Sequence, residues 1–331
     1  MIPDGMHDVL PVEAAELRTL EDTLRARFAA HGYGEVRTPA LEFAATIEAP
    51  GEDTLAAGYR LFDASGQVLM LRTDMTVPVA RLAADRLRER PLPLRLWYLA
   101  PAFRPAASQR GQEGEVLQAG IELLALDGPA ADAEVVTLLC DALAATGLRG
   151  FRVALGSVFF WRELVAALDL PGDERDDLFE ALAVRDYPVI ETIVAHSRLD
   201  ADDRRALQRA LALDDDEGAL DQARRLASTA GIQSALEHLE KVRELVAEAG
   251  FGAALRLDFA LFPALGYYTG VAFEAYADGV SLPIAAGGRY DDLVATFGWD
   301  VSGAGFAIGV DRLHLALAEQ DDATAAAKGS I

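Results

Sequence analysis

Y-Y-T-G-V-A-F-E-A-Y (267–276), S-L-P-I-A-A-G-G-R-Y (281–290) and G-A-G-F-A-I-G-V (303–310) are three strand-like stretches with no helical pattern between them. Neighbouring parallel strands need a crossover of a dozen or more residues, usually a helix. These strands therefore read as antiparallel. L-R-L-D-F-A-L (255–261) precedes them as a further strand, and the last one runs into a closing helix, D-R-L-H-L-A-L-A-E (311–319). Strands in series with a helix at the end predict an α+β chain with a mostly antiparallel sheet.

Moving back along the chain, Phe159 to Ala249 has a different texture. Helical periodicity is broken there by acidic runs such as P-G-D-E-R-D-D (171–177) and D-D-D-E-G (214–218), which read as solvated faces and loops. Before it, apolar Leu17, Leu20, Leu24 and Phe28 at spacings of three and four predict a helix over Pro11–Ala30. His31-Gly32 stops that helix, and G-Y-G-E-V-R-T-P-A-L-E (32–42) reads as a turn and a short strand closed by Pro39. Residues 59–72 form a hairpin pattern with its turn at Asp63–Gly66. Helical spacing follows over Thr76–Arg90, then strands at 94–104 and 116–127 joined by a polar loop, then a helix over Asp132–Ala145 closed by Gly147. The expected organisation is a discontinuous core, 1–155 and 250–318, around a helical insertion, 156–249, with a flexible tail over 319–331.

The balance of 30 Lys+Arg against 53 Asp+Glu gives a net charge of −23, which repels phosphate backbones and anionic lipid. Nucleic acid and membrane are therefore poor partners. The start of the chain has no basic and apolar leader pattern, and the charge-free run Phe259–Phe273 is too short and too broken to span a bilayer. A cytoplasmic protein is expected. Cys140 is the single cysteine, so a disulfide or cysteine-based metal site within the chain is excluded, and it reads as a small buried hydrophobe. No phosphate-binding loop, H-E-x-x-H or nucleophile elbow occurs, and the five histidines (7, 31, 196, 238, 314) share no metal-ligand spacing. Each histidine reads as a surface or capping residue. The loose glycine pattern Gly303-Ala-Gly305-Phe-Ala-Ile-Gly309 lacks the acidic partner of a dinucleotide site.

Four segments carry more than any generic motif: R-T-D-M-T (72–76), A-F-R (102–104) with Q-A-G-I-E (118–122), L-G-Y-Y-T-G-V-A-F-E (265–274) with A-G-G-R-Y-D-D-L (286–293), and G-F-A-I-G-V-D-R-L (305–313). In this order, with a helical stretch between the second and third, the chain resembles the catalytic core of histidyl-tRNA synthetase, a class II aminoacyl-tRNA synthetase. The resemblance spans about 2–155 and 250–318. It implies the class II fold, with 32–42 as motif 1, A-F-R opening motif 2 and G-V-D-R-L as motif 3. It also implies a histidine pocket. Asp74 takes the place of a glutamate that holds the α-amino group, with Thr76 beside it. Gln118 and Glu122 match polar lining residues, and Tyr267 and Tyr268 match the pair that encloses the imidazole. Taken singly, each tyrosine reads more readily as an ordinary core aromatic. Gly287 and Gly288 would let the floor strand approach the ligand.

The departures point away from catalysis. The family's catalytic arginine position is Pro263 in P-A-L-G-Y-Y, and its aspartate is Gly266. A proline supplies no guanidinium to stabilise developing charge. In the motif 2 loop the glutamate is Ala106, and Gln112-Glu113-Gly114-Glu115 replaces the arginine-bearing end, putting acid where a polyphosphate would lie. Arg104 and Arg312 remain as a vestigial nucleotide site. About 18 residues follow Leu313, where a synthetase of this family continues into an anticodon-binding domain.

This combination resembles the regulatory subunits of ATP phosphoribosyltransferase, inactive paralogues of histidyl-tRNA synthetase. The resemblance implies a non-catalytic chain with no cofactor and no metal. Its partners would be a second copy, met through the motif 1 face, and the short-form catalytic subunit, in a hetero-octamer of histidine biosynthesis. L-histidine would be the feedback effector. Two other readings stand beside it: a truncated synthetase-like enzyme that activates histidine or a related amino acid, and a scaffold that binds protein but no ligand.

Overall fold

The structure is a computed structural model that describes residues 2–50, 58–105, 114–213, 218–226, 229–263 and 265–329. Helix α1 (Pro11–Ala30) buries Leu17, Leu20, Leu24 and Phe28, the stripe its spacing predicts. It ends where the His31 and Gly32 amides bond back to Arg27 and Ala29, with Gly32 at φ +82. Strand β1 (Gly34–Glu35), strand β2 (Leu41–Phe43), helix α2 (Ala44–Glu48) and the hairpin β3 (Arg60–Phe62) and β4 (Val68–Leu71) follow. The Asp63 carboxylate accepts from the Ser65 and Gln67 amides at 2.8 Å, and Gly66 sits at φ +84, which builds the expected turn.

Helix α3 (Thr76–Arg86) leads into two ten-residue strands, β5 (Leu94–Phe103) and β6 (Glu115–Leu124). Helix α4 (Pro129–Ala145) and β7 (Arg152–Ser157) come next, then six helices: α5 (Val158–Ala167), α6 (Gly172–Ala183), α7 (Tyr187–His196), α8 (Ala201–Leu211), α9 (Ala219–Arg224) and α10 (Ala230–Glu248). The chain closes with β8 (Leu255–Leu257), β9 (Val271–Tyr276), β10 (Ala285–Arg289), β11 (Gly303–Gly309) and α11 (Val310–Gly329).

Eight strands form one sheet in the order β1-β5-β6-β11-β10-β9-β7-β8. Every inner pair is antiparallel, and short connections account for β5–β6, β9–β10 and β10–β11, whereas the outermost pairs β1–β5 and β7–β8 are parallel. All six insertion helices lie between β7 and β8, the long crossover that a parallel pair requires. Strands β2, β4 and β3 form a separate small sheet.

Register divides the main sheet into two faces. Phe306 and Trp97 point toward α1, where each meets the Phe28 ring, with centroids 5.8 and 6.2 Å apart. Helix α4 is buried nearly all round, and Cys140 lies inside it with its thiol pushed up to about 12 by burial. On the opposite face, Tyr98, Gly120 and Ala307 are in register, as are Glu122, Gly305 and Gly288. That face is mostly small residues, which leaves depth for a cavity.

His238 departs from the surface-or-capping expectation. From α10 it reaches Asp132 Oδ2 of α4 at 2.6 Å, and the same carboxylate takes Arg289 of β10 through Nε at 2.8 Å. Arg289 and Asp132 are both almost wholly buried. A half-buried histidine of α10 thus hydrogen-bonds the carboxylate of a buried Asp132–Arg289 ion pair.

Candidate functional site

A cavity of about 150 Å³ opens on the small-residue face. A void of that size lined by side chains accommodates a single benzene-sized ring. Its wall includes Asp74, Thr76, Arg104, Gln118, Tyr267, Tyr268, Tyr290 and Arg312. Seven of the eight site candidates taken from the sequence therefore converge on one cavity, from five places in the chain.

Asp74 stands just ahead of α3, where its Oδ1 accepts the Val77 amide at 3.2 Å. A helix N-terminus favours a carboxylate there. Burial raises the Asp74 pKa, against the pull of the Val77 amide, the Arg104 charge and the Tyr267 hydroxyl. Tyr267 donates to Asp74 Oδ2 at 3.3 Å. The Tyr267 and Tyr268 rings lie 4.8 Å apart at 46°, and Tyr290 meets Tyr267 edge-on at 5.9 Å. Gln118 Oε1 is buried with no hydrogen-bond partner. Arg104 donates through Nε to the Thr73 carbonyl at 2.8 Å, and Arg312 donates to the Pro283 carbonyl at 3.0 Å.

Glu122 is the exception among the candidates. It lies beneath Gly305, behind the wall, bonded to the Tyr290 hydroxyl and within reach of Thr76, so it meets the cavity through these lining residues. Burial pushes its pKa up to about 8, with the surrounding hydroxyls opposing. Because the folded-state value lies above the unfolded one, the folded protein holds an extra proton between about pH 4.5 and 8. Glu122 therefore costs no stability below that window and increasingly destabilises the fold as pH rises through it. A Glu122→Gln protein is expected to lose less Tm than the unaltered one between pH 5 and pH 8.5. Parallel pH dependences of the two proteins in calorimetry would contradict this.

Gly287 and Gly288 also do something other than expected. A Cβ on Gly288 would stand 2.7 Å from Tyr268 Cδ1, and one on Gly287 would stand 2.6 Å from Phe273 Cζ. They make room for the backbone carbonyls of Gly305 and Val271 and for the protein's own rings, and neither glycine lines the cavity. Glu115 faces a separate groove with His7, Leu17 and Asp311, away from the cavity. Ala106, Gln112 and Glu113 lie outside the described residues. Tyr290 was missed as a lining residue, although A-G-G-R-Y ends on it.

The wall offers an acceptor for a cation (Asp74), an unpartnered amide oxygen, three aromatic rings and two guanidinium groups. This set suits a small zwitterion bearing a ring. Among the described residues, no group of three or more His, Cys, Asp or Glu could hold a metal, and no helix is long and apolar enough to cross a membrane.

Comparison with known proteins gives the family of the chain. The sequence profile of histidyl-tRNA synthetase matches residues 5–313. The ATP phosphoribosyltransferase regulatory subunit of Moorella thermoacetica is 40% identical, over 98% of this chain and 84% of its own length. The one from Symbiobacterium thermophilum is 43% identical over 99% of this chain and 82% of its own. Among solved structures, an ATP phosphoribosyltransferase regulatory subunit/histidyl-tRNA synthetase from Bacillus halodurans superposes with a TM-score of 0.88 at 32% identity, covering 96% of this chain and 83% of that one.

Proposed function

Since the chain belongs to the histidyl-tRNA synthetase family, and within it to the ATP phosphoribosyltransferase regulatory subunits, we propose that it is the non-catalytic subunit of such a transferase, acting in histidine biosynthesis. In this reading it activates a short catalytic subunit and makes that subunit sensitive to histidine. One observation carries the reading: the cavity keeps Asp74, Thr76, Gln118, Tyr267 and Tyr268, while Pro263 stands at the catalytic arginine position.

The ligand fit is chemical. A histidine ammonium is a donor for the buried Asp74, its ring is of a size to lie among the tyrosines, and its carboxylate is complementary to Arg104 or Arg312. Inhibition can extend only as far as histidine prefers the less active assembly.

The test is phosphoribosyl-ATP formation by the short catalytic subunit of the same organism, with and without this chain. The expected result is stimulation by the chain, reversed by histidine only when the chain is present. The absence of both stimulation and co-elution would sink the reading. Arg104 and Arg312 in the cavity wall favour one alternative, residual amino-acid activation, and histidine-dependent ATP–pyrophosphate exchange by the pure chain would support it.

We also propose self-association through the motif 1 region, in the cytoplasm. On the small sheet, Leu41, Phe43 and Leu61 share one face with Leu69 and Leu71, and Phe43 is 52% exposed. A contiguous apolar face of this kind on a soluble chain marks an interface. Phe43→Glu is expected to shift the chain from dimer toward monomer in sedimentation velocity at micromolar concentration. A variant that stays dimeric places the interface elsewhere.

A further inference from the structure

The chain that delivers Tyr267 and Tyr268 to the cavity, residues 258–263 and 265–268, is fastened from its other side by the first two insertion helices. Trp161 of α5 donates its indole N–H to the Phe259 carbonyl at 2.5 Å, and Phe160 meets the Phe259 ring at 5.6 Å. Phe179 of α6 stacks on Phe262 with ring centroids 5.0 Å apart and planes within 8°. The Arg162 guanidinium of α5 donates to the Tyr268 carbonyl at 3.2 Å and reaches that of Gly266 at 3.5 Å. Helical contacts therefore fall at 259, 262, 266 and 268, on both sides of Pro263.

The division of labour along this segment is clear. The tyrosine side chains face the cavity, while the backbone that carries them is held by Arg162, and the ring beside Pro263 is held by Phe179. A ligand that reseats the Tyr267 and Tyr268 rings must either shift the carbonyls on Arg162 or slide the Phe262–Phe179 stack. Close-packed contacts of this kind change by discrete repacking and do not deform smoothly. Helix α6 has a second tie, independent of the segment. Arg185, just beyond its end, pairs with Glu274 of β9 at 2.8 Å. A shift entering at Phe179 would therefore act on a helix already held at its far end.

We propose that Arg162 and Phe179 are positioning residues that pass occupancy of the tyrosine cavity to helix α6 and to α7, which packs against it. This rests on the histidine reading of the cavity. The segment that carries chemistry in a synthetase serves here as a mechanical link between ligand and helices.

Hydrogen–deuterium exchange of the full chain, with and without L-histidine, tests it. The expected result is histidine-dependent protection over residues 172–196 in the unaltered chain. In Phe179→Ala and in Arg162→Ala, titration calorimetry should show histidine affinity changed by less than about tenfold, within the usual span of coupling between sites. Protection over 172–196 should nonetheless disappear, and Phe179→Tyr should retain it. A purely structural role would lower Tm without removing the ligand-dependent difference. Histidine binding with unchanged exchange over 172–196, or protection that survives both substitutions, overturns the transmission alone. Failure of the unaltered chain to bind histidine overturns the cavity reading as well, so the two failures are distinguishable.

Discussion

Replacing Tyr267 and Tyr268 together by alanine is expected to weaken L-histidine binding by at least about a hundredfold. Both rings are buried to 8% exposure at the cavity wall, 4.8 Å apart. Truncating a buried aromatic anchor commonly costs about 2 kcal/mol or more, and each 1.4 kcal/mol is tenfold in affinity. The pair also positions Asp74, because the Tyr267 hydroxyl donates to its carboxylate at 3.3 Å. Tyr267→Phe separates these effects. It keeps the ring and removes one hydrogen bond, worth about 1 kcal/mol, so roughly a fivefold loss is expected. Titration calorimetry on the pure chain reads both numbers. Unchanged affinity in the double variant would place the effector outside this cavity.

Asp132→Ala should be the most damaging single change to stability among those considered, at about 3–5 kcal/mol. The Arg289 side chain is 6% exposed and that of Asp132 2%, with the guanidinium 2.6 Å from the carboxylate. Removing the carboxylate leaves a buried cation facing mainly Asp291, which is 42% exposed. It also strips His238 of the partner that joins α10 to α4. A fall in Tm on the order of 5–10 °C is expected. An exposed helix pair such as Arg18–Glu21 should cost under about 1 kcal/mol when broken. If Asp132→Ala cost no more than that, the network would be incidental to the fold.

Much of this architecture is legible in the sequence, and the gaps have physical reasons. The α1 stripe and the antiparallel centre follow from local periodicity, which register and burial then fixed. The parallel edge pairs were missed because β1 has two residues and β8 three, too few to display an alternating pattern. Seven candidates meet at one cavity, and the sequence could single them out because their motifs keep their order along the chain. The depth of Glu122 was not found. Period two does place it on the face of Gln118, but four residues of strand carry it about 13 Å further along. The glycines of A-G-G-R-Y signalled a close approach without revealing that the approaching groups are neighbouring-strand carbonyls and the rings of Phe273 and Tyr268. His238 had no readable signal, since its partner lies 106 residues earlier.

Cys140 is the sole sulfhydryl in the chain, enclosed within α4 and protonated at any working pH. Alkylating dyes react with the thiolate, so they leave it untouched in the folded state. A cysteine placed at solvent-facing Val184, 68% exposed, would therefore be the only position to take a fluorophore, with no native cysteine to remove first. Optical distance measurements on the corner between α6 and α7 could then be made in an otherwise native chain, inside whatever assembly it joins.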